Sequence, residues 1–429
     1  MPERADPRRV ERTVTEAGLT VIRQPPPAGA GSFSATYVAP SGWAWDPPRE
    51  EGTAAIAARL LTSGTERMDR VELARELDRN GATLGTQCDA ESAEVTIWGP
   101  TRKFDRLFDL MAEVVQRPRF AADDLARTQR QVKERQLREL TQPESRAERE
   151  LLRALYPPGH PYRESGIGTR GSVERIDPTR LRRFHRARWR SRNALLVVTG
   201  RPTLDAVVRS ARARFAWSNG SAEFEPSRPL PKLRPPGSVV TVPLPGRTEV
   251  QLRVGGIGIP RSDPGFPPLL LANEVLGGRS ISRLFQRVRE GAGLAYHASS
   301  SVESMRWGGY WYAQAGTGPE RLAKVIDLVR AELARMRSTD VPRSELDRIR
   351  RAMTGSIPLQ LETTTGAHEL AVEVAYFGLP DDFFVTWPDR IRAVRAHELR
   401  AAAEAVLDPD RAVTVWAGPS PGLKKVGYS

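Results

Sequence analysis

Two stretches of this chain decide its fold: IDPTRLRRFHRARWRSRNALLVVTG at residues 176–200 and VRAHELRAAAEAVLDPDRAVTVWAG at residues 394–418. Each pattern predicts a helix, a short connection and an apolar strand that ends in glycine. A second pair, FDLMAEVV at residues 108–115 and IDLVRAEL at residues 326–333, has the same offset of 218 residues. Two matches at one offset indicate a tandem duplication of a domain.

The duplicated domain mixes strands and helices. In the first half, the apolar patterns predict strands at Leu19–Gln24, Ser32–Ala39 and Ser92–Trp98, and helices at Phe104–Val115 and Ala121–Leu140. Strands that neighbour each other in sequence, combined with long helices, favour an α+β fold. We therefore expect two tandem homologous domains, each an antiparallel-rich sheet layered with helices.

A proline-rich stretch separates the two predicted domains. Proline lacks an amide donor and fixes its own φ, so residues 219–236 are predicted to form an extended linker. The N-terminal domain then comprises residues 1–218, and the C-terminal domain comprises residues 237–429.

Composition excludes several classes of protein. No apolar run approaches the ~18 residues needed to span a bilayer, and the opening residues, MPERADPRRVERT, are too charged for a secretory signal. The lone cysteine, Cys88, excludes an intrachain disulfide and a metal site built from cysteines. We therefore expect a cytoplasmic protein that has no membrane partner.

The chain is strongly basic, with 65 lysine and arginine residues against 52 aspartate and glutamate residues. A net charge of +13 attracts polyanions or acidic partners. The arginine-rich residues 180–192 would bind nucleic acid only if their arginines faced phosphates and their aromatics stacked on bases. We favour a solvated face or a contact with an acidic protein, and we expect no nucleic-acid partner.

The most informative segment is LGGRSISRLFQRVREGAGLAYHASSS at residues 276–301. Its apolar residues recur at i, i+3, i+4 and i+7 from Ile281 to Val288, which predicts one face of a helix. Glycines after the helix allow the positive φ of a tight turn, and a strand follows. This arrangement places Arg289 in the last helical turn and Tyr296 in the strand.

This segment resembles the pitrilysin/insulinase-type zinc metallopeptidases, in the branch of the mitochondrial processing peptidase. The resemblance lies in the LGG, SRLFQ, RE and GLAY elements, and in GTAAIAARLLTSGTERM and ALYPPGHPY elsewhere in the chain. It implies a catalytic and substrate-binding role for Arg289 and Tyr296. It also implies that Gly277 and Gly278 contact the substrate; the alternative is that the two glycines form only a turn before the helix. A plainer interpretation remains open, in which the arginine complements a helix dipole and the tyrosine is an ordinary strand residue.

The zinc motif of that family is missing. The family carries HxxEH on the first helix, where two histidines bind zinc and the glutamate acts as a general base. The resemblance places Ala55, Ala58 and Arg59 at those positions, and Glu139 at the position of the distal glutamate ligand. The five histidines include no pair at helical spacing. We therefore expect no metal in this chain and no peptidase activity from the chain alone.

The resemblance implies a non-catalytic, substrate-binding subunit of a bacterial heterodimeric zinc peptidase. Arg289 and Tyr296 would act in trans on a peptide held by a zinc-bearing HxxEH homologue, in a heterodimer or a heterotetramer. A homodimer of the chain alone stays open. The alternative is a non-enzymatic scaffold or core subunit of a larger complex, in which the two residues are relics. The sequence does not identify the peptide substrate or the pathway.

Overall fold

The computed structural model describes residues 9–215 and 238–419. Within these ranges the chain forms two mixed sheets surrounded by helices, which confirms the predicted α+β class. The predicted linker, residues 219–236, lies outside the described residues. None of the described helices is long and apolar enough to cross a membrane.

The strands belong to the two sheets in chain order. The first sheet contains β1 (Glu11–Val14), β2 (Thr20–Gln24), β3 (Ser32–Ala39), β4 (Thr83–Cys88), β5 (Ala93–Pro100) and β6 (Leu195–Thr199). The second sheet contains β7 (Val239–Pro243), β8 (Val250–Gly258), β9 (Ala295–Ser304), β10 (Gly309–Thr317) and β11 (Val413–Gly418).

The helices connect and cover these strands. In the first half they are α1 (Thr53–Leu60), α2 (Arg70–Asn80), α3 (Phe104–Gln116), α4 (Ala122–Thr141), α5 (Pro143–Leu155), α6 (Arg170–Arg175), α7 (Pro178–Arg188) and α8 (Leu204–Arg214). In the second half they are α9 (Phe266–Leu276), α10 (Leu322–Ser338), α11 (Arg343–Leu361), α12 (Thr364–Phe377), α13 (Phe383–Ala393) and α14 (Ala396–Val406). A short π-helix, Phe285–Gly291, lies between α9 and β9.

Both sheets have the same strand order. The first runs β1-β2-β6-β3-β5-β4 and the second runs β7-β11-β8-β10-β9. The pairs β2–β6 and β7–β11 are parallel, and the remaining neighbours are antiparallel. If β2 is matched with β7, the two orders are identical, and β1 is an additional edge strand. This shared topology is what a duplication predicts.

The chain packs as two compact units that exchange a helical segment. Unit 1 holds the described residues within 1–136, 165–227 and 356–386, and unit 2 holds those within 137–164, 228–355 and 387–429. Helix α5, from the first half of the chain, packs on β8 and β11 in unit 2. Helix α12, from the second half, packs on β3 and β6 in unit 1. The ranges predicted from the repeat do not include this exchange.

The core of unit 1 explains why α12 belongs to it. The His368 side chain on α12 is buried between two threonines, with its Nε2 2.7 Å from Thr36 Oγ1 and its Nδ1 3.0 Å from Thr199 Oγ1. Burial lowers the pKa of His368 to about 3, so the ring is neutral. Hydrogen bonds to both ring nitrogens satisfy a polar group that would otherwise destabilise the core.

The exchange of α5 gives a prediction about stability. Leu151 on α5 is fully buried, and its methyl group lies near Gly255 of β8. We expect Leu151→Ala to lower the free energy of unfolding by about 2–5 kcal/mol, because it leaves a cavity between the helix and the sheet. Thermal and urea unfolding followed by circular dichroism measure the change.

The matched control is Leu137→Ala, since that leucine is 62% exposed. The control substitution should lower the free energy of unfolding by less than about 0.5 kcal/mol, as surface substitutions usually do. Equal effects of the two substitutions would contradict the packing of α5 on this sheet.

Candidate functional site

The segment with the predicted arginine–tyrosine pair forms a helix, a tight turn and an edge strand in unit 2. We predicted a regular helix from Ile281 onward, and this start was wrong: Ile281 is 41% exposed and lies in a turn. The helical segment continues instead as the π-helix Phe285–Gly291. The wider π turn still buries Leu284 and Val288, which are both fully inaccessible to solvent. Such turns are rare and often occur at functional sites.

Hydrogen bonds hold the turn between the π-helix and β9. The Gly293 amide donates to the Arg289 carbonyl at 3.1 Å, and the Leu294 amide donates to the Val288 carbonyl at 3.0 Å. Gly293 has a φ of 60°, which a residue with a Cβ rarely adopts. The Thr317 hydroxyl donates to the Leu294 carbonyl at 2.5 Å. These bonds fix the position of the strand relative to the end of the helix.

Tyr296 lies in a β-bulge on the edge strand β9. The register pairs His297 with Gly316 and Ala295 with Thr317, so Tyr296 is the extra residue between them. Bulges re-aim side chains and occur next to active sites. The Tyr296 side chain is 71% exposed, the largest exposure among the large hydrophobic and aromatic residues of the described chain. Its phenol is therefore free to meet another molecule.

Arg289 is exposed on the last turn of the π-helix. Its guanidinium carbon lies 4.7 Å from the centre of the Phe285 ring, within the range of a cation–π interaction. This contact holds the side chain over the helix without using its hydrogen-bond donors. Tyr296 follows Arg289 by seven positions, and the bonded turn lies between the two residues.

Gly277 and Gly278 connect α9 to this segment through close packing. A Cβ on Gly277 would come within 2.2 Å of the Ser300 amide nitrogen, and a Cβ on Gly278 within 2.7 Å of Glu274 Oε1. The Gly277 carbonyl accepts a hydrogen bond from the Ser300 amide at 3.1 Å. Packing against β9 therefore explains the glycine at 277. Contact between these glycines and a substrate stays a prediction.

The positions of the missing zinc motif lie on α1 of unit 1. Ala58 is buried and Ala55 half-buried, and their methyl groups carry no lone pair for a metal. The Arg59 guanidinium donates to Gln131 Oε1 at 2.8 Å, where its positive charge repels a cation. The residues present do not fit zinc. Within residues 9–215 and 238–419 no group of histidine, cysteine, aspartate or glutamate side chains could hold a metal ion.

The position predicted for the distal ligand, Glu139, lies on the last turns of α4 in unit 2. Its charge contributes to raising the pKa of Glu148 on α5. The assignment of Glu139 as a former ligand stays a prediction.

Two other described histidines are used by the fold. His185 Nε2 lies 2.8 Å from the Val115 carbonyl, and burial lowers the pKa of His185 to about 4. His160 Nδ1 accepts a hydrogen bond from the Tyr162 amide at 3.1 Å. With His368 buried between threonines, these rings serve as structural polar groups.

Unit 1 contains partly buried acidic side chains, one of which, Asp46, lies at the start of α1. Asp46 accepts hydrogen bonds from the Gly52 amide at 2.6 Å and the Ala54 amide at 2.7 Å. Burial nevertheless raises the pKa of Asp46 to about 7. Burial, with the charge of Asp89, also raises the pKa of Glu94 to about 7. These carboxyl groups are therefore partly protonated near neutral pH.

Sequence reasoning missed a polar surface on the second sheet. Tyr310 and Tyr312 alternate along β10, and their rings stack with centroids 6.0 Å apart. Arg253 of β8 places its guanidinium carbon 4.8 Å from the centre of the Tyr312 ring. Glu303 on β9 pairs with Tyr310 in the strand register. The alternation of polar residues in QLRV (251–254) and YWYAQ (310–314) is the signal that could have located this surface.

Two family models match the chain. A model described as Insulinase (Peptidase family M16) matches residues 32–163, and a model described as Peptidase M16 inactive domain matches residues 175–353. The first match contains the positions of the missing zinc motif, and the second contains Arg289 and Tyr296.

Curated relatives align with most of the chain. A protein named as a zinc protease of Mycobacterium leprae (strain TN) is 27% identical over 361 residues, which cover 82% of this chain and 79% of the relative. One of Mycobacterium tuberculosis (strain ATCC 25618 / H37Rv) is 28% identical over 381 residues, covering 85% and 84%. The mitochondrial-processing peptidase subunit beta of Caenorhabditis elegans is 23% identical over 342 residues, covering 76% and 72%.

Solved structures share the fold. A peptidase M16 inactive domain from Pseudomonas fluorescens superposes with a TM-score of 0.89 at 24% identity, covering 96% of this chain and 98% of that one. A protease from Helicobacter pylori superposes with a TM-score of 0.86 at 18% identity, covering 96% and 99%.

The partly buried Glu94 on β5 predicts a pH dependence of stability. Because the folded-state pKa of Glu94 is raised, the folded state binds more protons than the unfolded state between about pH 4.5 and pH 7. Stability therefore falls as the pH rises through that window. Over this window, we expect the free energy of unfolding of Glu94→Gln to fall by about 1–3 kcal/mol less than that of the wild type. Urea unfolding at pH 5 and pH 8 measures the difference.

Glu16→Gln is the control, because the side chain of Glu16 is 93% exposed. It should keep the wild-type dependence on pH. The same fall in stability in Glu94→Gln as in the wild type would show that Glu94 is not the titrating group.

Proposed function

This chain belongs to the insulinase family, peptidase family M16, and from that premise we propose that it is the zinc-lacking, substrate-binding subunit of a bacterial two-chain peptidase. The predicted family is confirmed by two models that match 32–163 and 175–353. Relatives that are named zinc protease support proteolysis as the process in which it acts. In the proposal, the partner is a homologous chain that carries HxxEH and the zinc, in a heterodimer or a heterotetramer.

The proposal rests on a difference between the arginine–tyrosine pair and the positions of the zinc motif. Arg289 and Tyr296 are exposed and carry hydrogen-bond donors on a segment that the bonded turn holds in place. At the zinc positions, Ala55 and Ala58 offer only methyl groups, and Arg59 offers a cation. The chain thus has exposed donors suited to an oxygen atom of a peptide, whereas the three positions of the zinc motif offer no group suited to a metal.

The chemistry of these two groups suits the stabilisation of an oxyanion. When a peptide carbonyl is attacked, negative charge develops on its oxygen, and preorganised donors lower the barrier. The Tyr296 phenol donates one hydrogen bond and the Arg289 guanidinium offers several in a planar fork. In the proposal these donors reach the scissile carbonyl or a neighbouring carbonyl of a peptide that the partner holds. No step at a metal is assigned to this chain.

The location of the pair also supports peptide binding. β9 is the edge strand of the second sheet, and an edge strand can align an extended peptide through main-chain hydrogen bonds. Tyr296 lies at the end of that strand, where the bulge interrupts its pairing with β10. The predicted contacts of Gly277 and Gly278 with substrate, and the cytoplasmic location, are part of this proposal.

The direct test reconstitutes the chain with a zinc-bearing HxxEH homologue from the same organism and measures cleavage of a peptide library. We expect cleavage by the mixture and none by this chain alone. We expect Tyr296→Phe to lower the turnover of the mixture by tens- to hundreds-fold, the scale of a lost oxyanion donor. Because Tyr296 is largely exposed, this change should leave the melting temperature unaltered.

Arg343→Lys is the control for the corresponding change Arg289→Lys. The Arg343 side chain is 95% exposed on α11, so its replacement should not change turnover. The substitution at 289 should lower turnover by removing the fork of donors. Unchanged turnover in both Tyr296→Phe and Arg289→Lys would reject the role in trans. A homologue that is fully active alone would favour the scaffold alternative.

A further inference from the structure

Arg253 is a buried cation that the arginine–tyrosine pair does not involve. Arg253 as a whole is only 6% exposed, although it lies on a sheet face that carries polar side chains. Its Nε and Nη1 atoms have no hydrogen-bond partner among the described residues. A buried guanidinium with two unpaired nitrogens is costly, because its contact with the Tyr312 ring does not replace the hydrogen bonds that water would make to them. Proteins retain such groups mostly where they bind something.

Two side chains that can accept hydrogen bonds, Gln251 and Glu148, lie near Arg253. Gln251, two residues earlier on β8 and therefore on the same face, has a buried Oε1 with no partner. Glu148 on α5 is half-buried and near enough for the charge of Arg253 to lower its pKa, although burial raises that pKa overall. The aromatic wall of this cluster is Tyr312, on which the guanidinium rests.

The charges of Arg253 and Glu148 determine which ligand can pair with both the donors and the acceptors of this cluster. A carboxylate would satisfy Arg253, but it would meet repulsion from Glu148 and from Glu303, whose charge raises the pKa of Glu148. A cation would meet Arg253 itself and would leave the guanidinium donors without acceptors. A neutral amide accepts from the arginine through its carbonyl and donates to a carboxylate or a glutamine oxygen through its N–H.

We propose that Arg253, Gln251 and Glu148 form a clamp for the main-chain amides of an extended peptide on the polar face of the second sheet. Arg253 donates to a peptide carbonyl, while Glu148 and Gln251 accept from peptide N–H groups. Nε and Nη1 are both enclosed in the free chain, so the proposal requires the arginine side chain to turn outward when the peptide binds. Recognition of main chain gives binding that tolerates many sequences.

This inference rests on the proposed function, since it names the class of ligand that the subunit binds. It concerns binding alone and does not require that the chain supply groups to a partner. A measurement of peptide binding to the full chain therefore separates it from the cleavage experiment.

The probe is a fluorescein-labelled, amidated dodecapeptide of alternating alanine and threonine, titrated with the full chain and followed by fluorescence anisotropy. We expect Arg253→Met to weaken binding by about ten- to hundred-fold, the range for a hydrogen bond to a charged group. Arg343→Met, at an exposed position, should bind as the wild type does. The melting temperature of Arg253→Met should stay the same or rise, because an apolar side chain replaces a buried charge with two unpaired nitrogens.

A second experiment tests whether Glu148 accepts a hydrogen bond from a peptide N–H group. Replacing the peptide amides by esters, one at a time, removes one N–H from each peptide. At one central position this replacement should weaken binding to the wild-type chain about five-fold or more. That penalty should vanish in Glu148→Met if Glu148 accepts from the missing N–H. A penalty that persists in Glu148→Met would overturn the role of Glu148.

Several outcomes would overturn the clamp. Wild-type affinity in Arg253→Met would remove Arg253 from the site, and a large fall in its melting temperature would show that the arginine is structural. Should that variant fail to fold, Arg253→Lys must bind the peptide more weakly than the wild type. Binding only of peptides in which glutamate replaces threonine would identify a carboxylate site instead. Peptide binding that is independent of Arg253 leaves the proposed function standing, whereas no peptide binding by the wild type contradicts both.

Discussion

The two main-chain hydrogen bonds that close the turn after the π-helix determine the geometry of the candidate site. They run from the Gly293 amide to Arg289 and from the Leu294 amide to Val288. Without them the strand could leave the helix in many directions, and the positions of the guanidinium and the phenol would be unrelated. The strand β9 begins directly after this turn, and the bulge at Tyr296 lies at the second residue of the strand. Main-chain constraints thus set the positions of two exposed side chains, as the proposed binding role requires.

The duplication made most of the fold predictable. Matching helices and strands at one offset led to two α+β halves, and the structure has the same strand order in both sheets. The exchange of α5 and α12 was not predictable, because both helices are amphipathic or apolar enough to pack on either sheet. The sequence pattern shows which face of a helix is apolar, but it does not show which sheet that face covers.

The site was predictable only in part, for reasons that are physical. The order helix, glycine turn, strand placed Arg289 and Tyr296 correctly on a helix end and a strand start. The π geometry was missed, because an i, i+3, i+4 stripe fits an α-helix and a slightly wider turn equally well. The burial of Arg253 was missed because the alternation of a strand does not show how much of each face a helix covers. Its unpaired guanidinium becomes visible only when α5 is seen to cover the same face.

In the proposed function, the groups that bind a peptide oxygen and the groups that bind a metal belong to different chains. The most direct test is equilibrium dialysis of the purified full chain against zinc at neutral pH, combined with an assay of the same sample for peptide cleavage. We expect no stoichiometric zinc and no cleavage, because alanine methyl groups and a guanidinium occupy the positions of the zinc motif. One tightly bound zinc per chain, together with cleavage that a chelator abolishes, would contradict the proposed function.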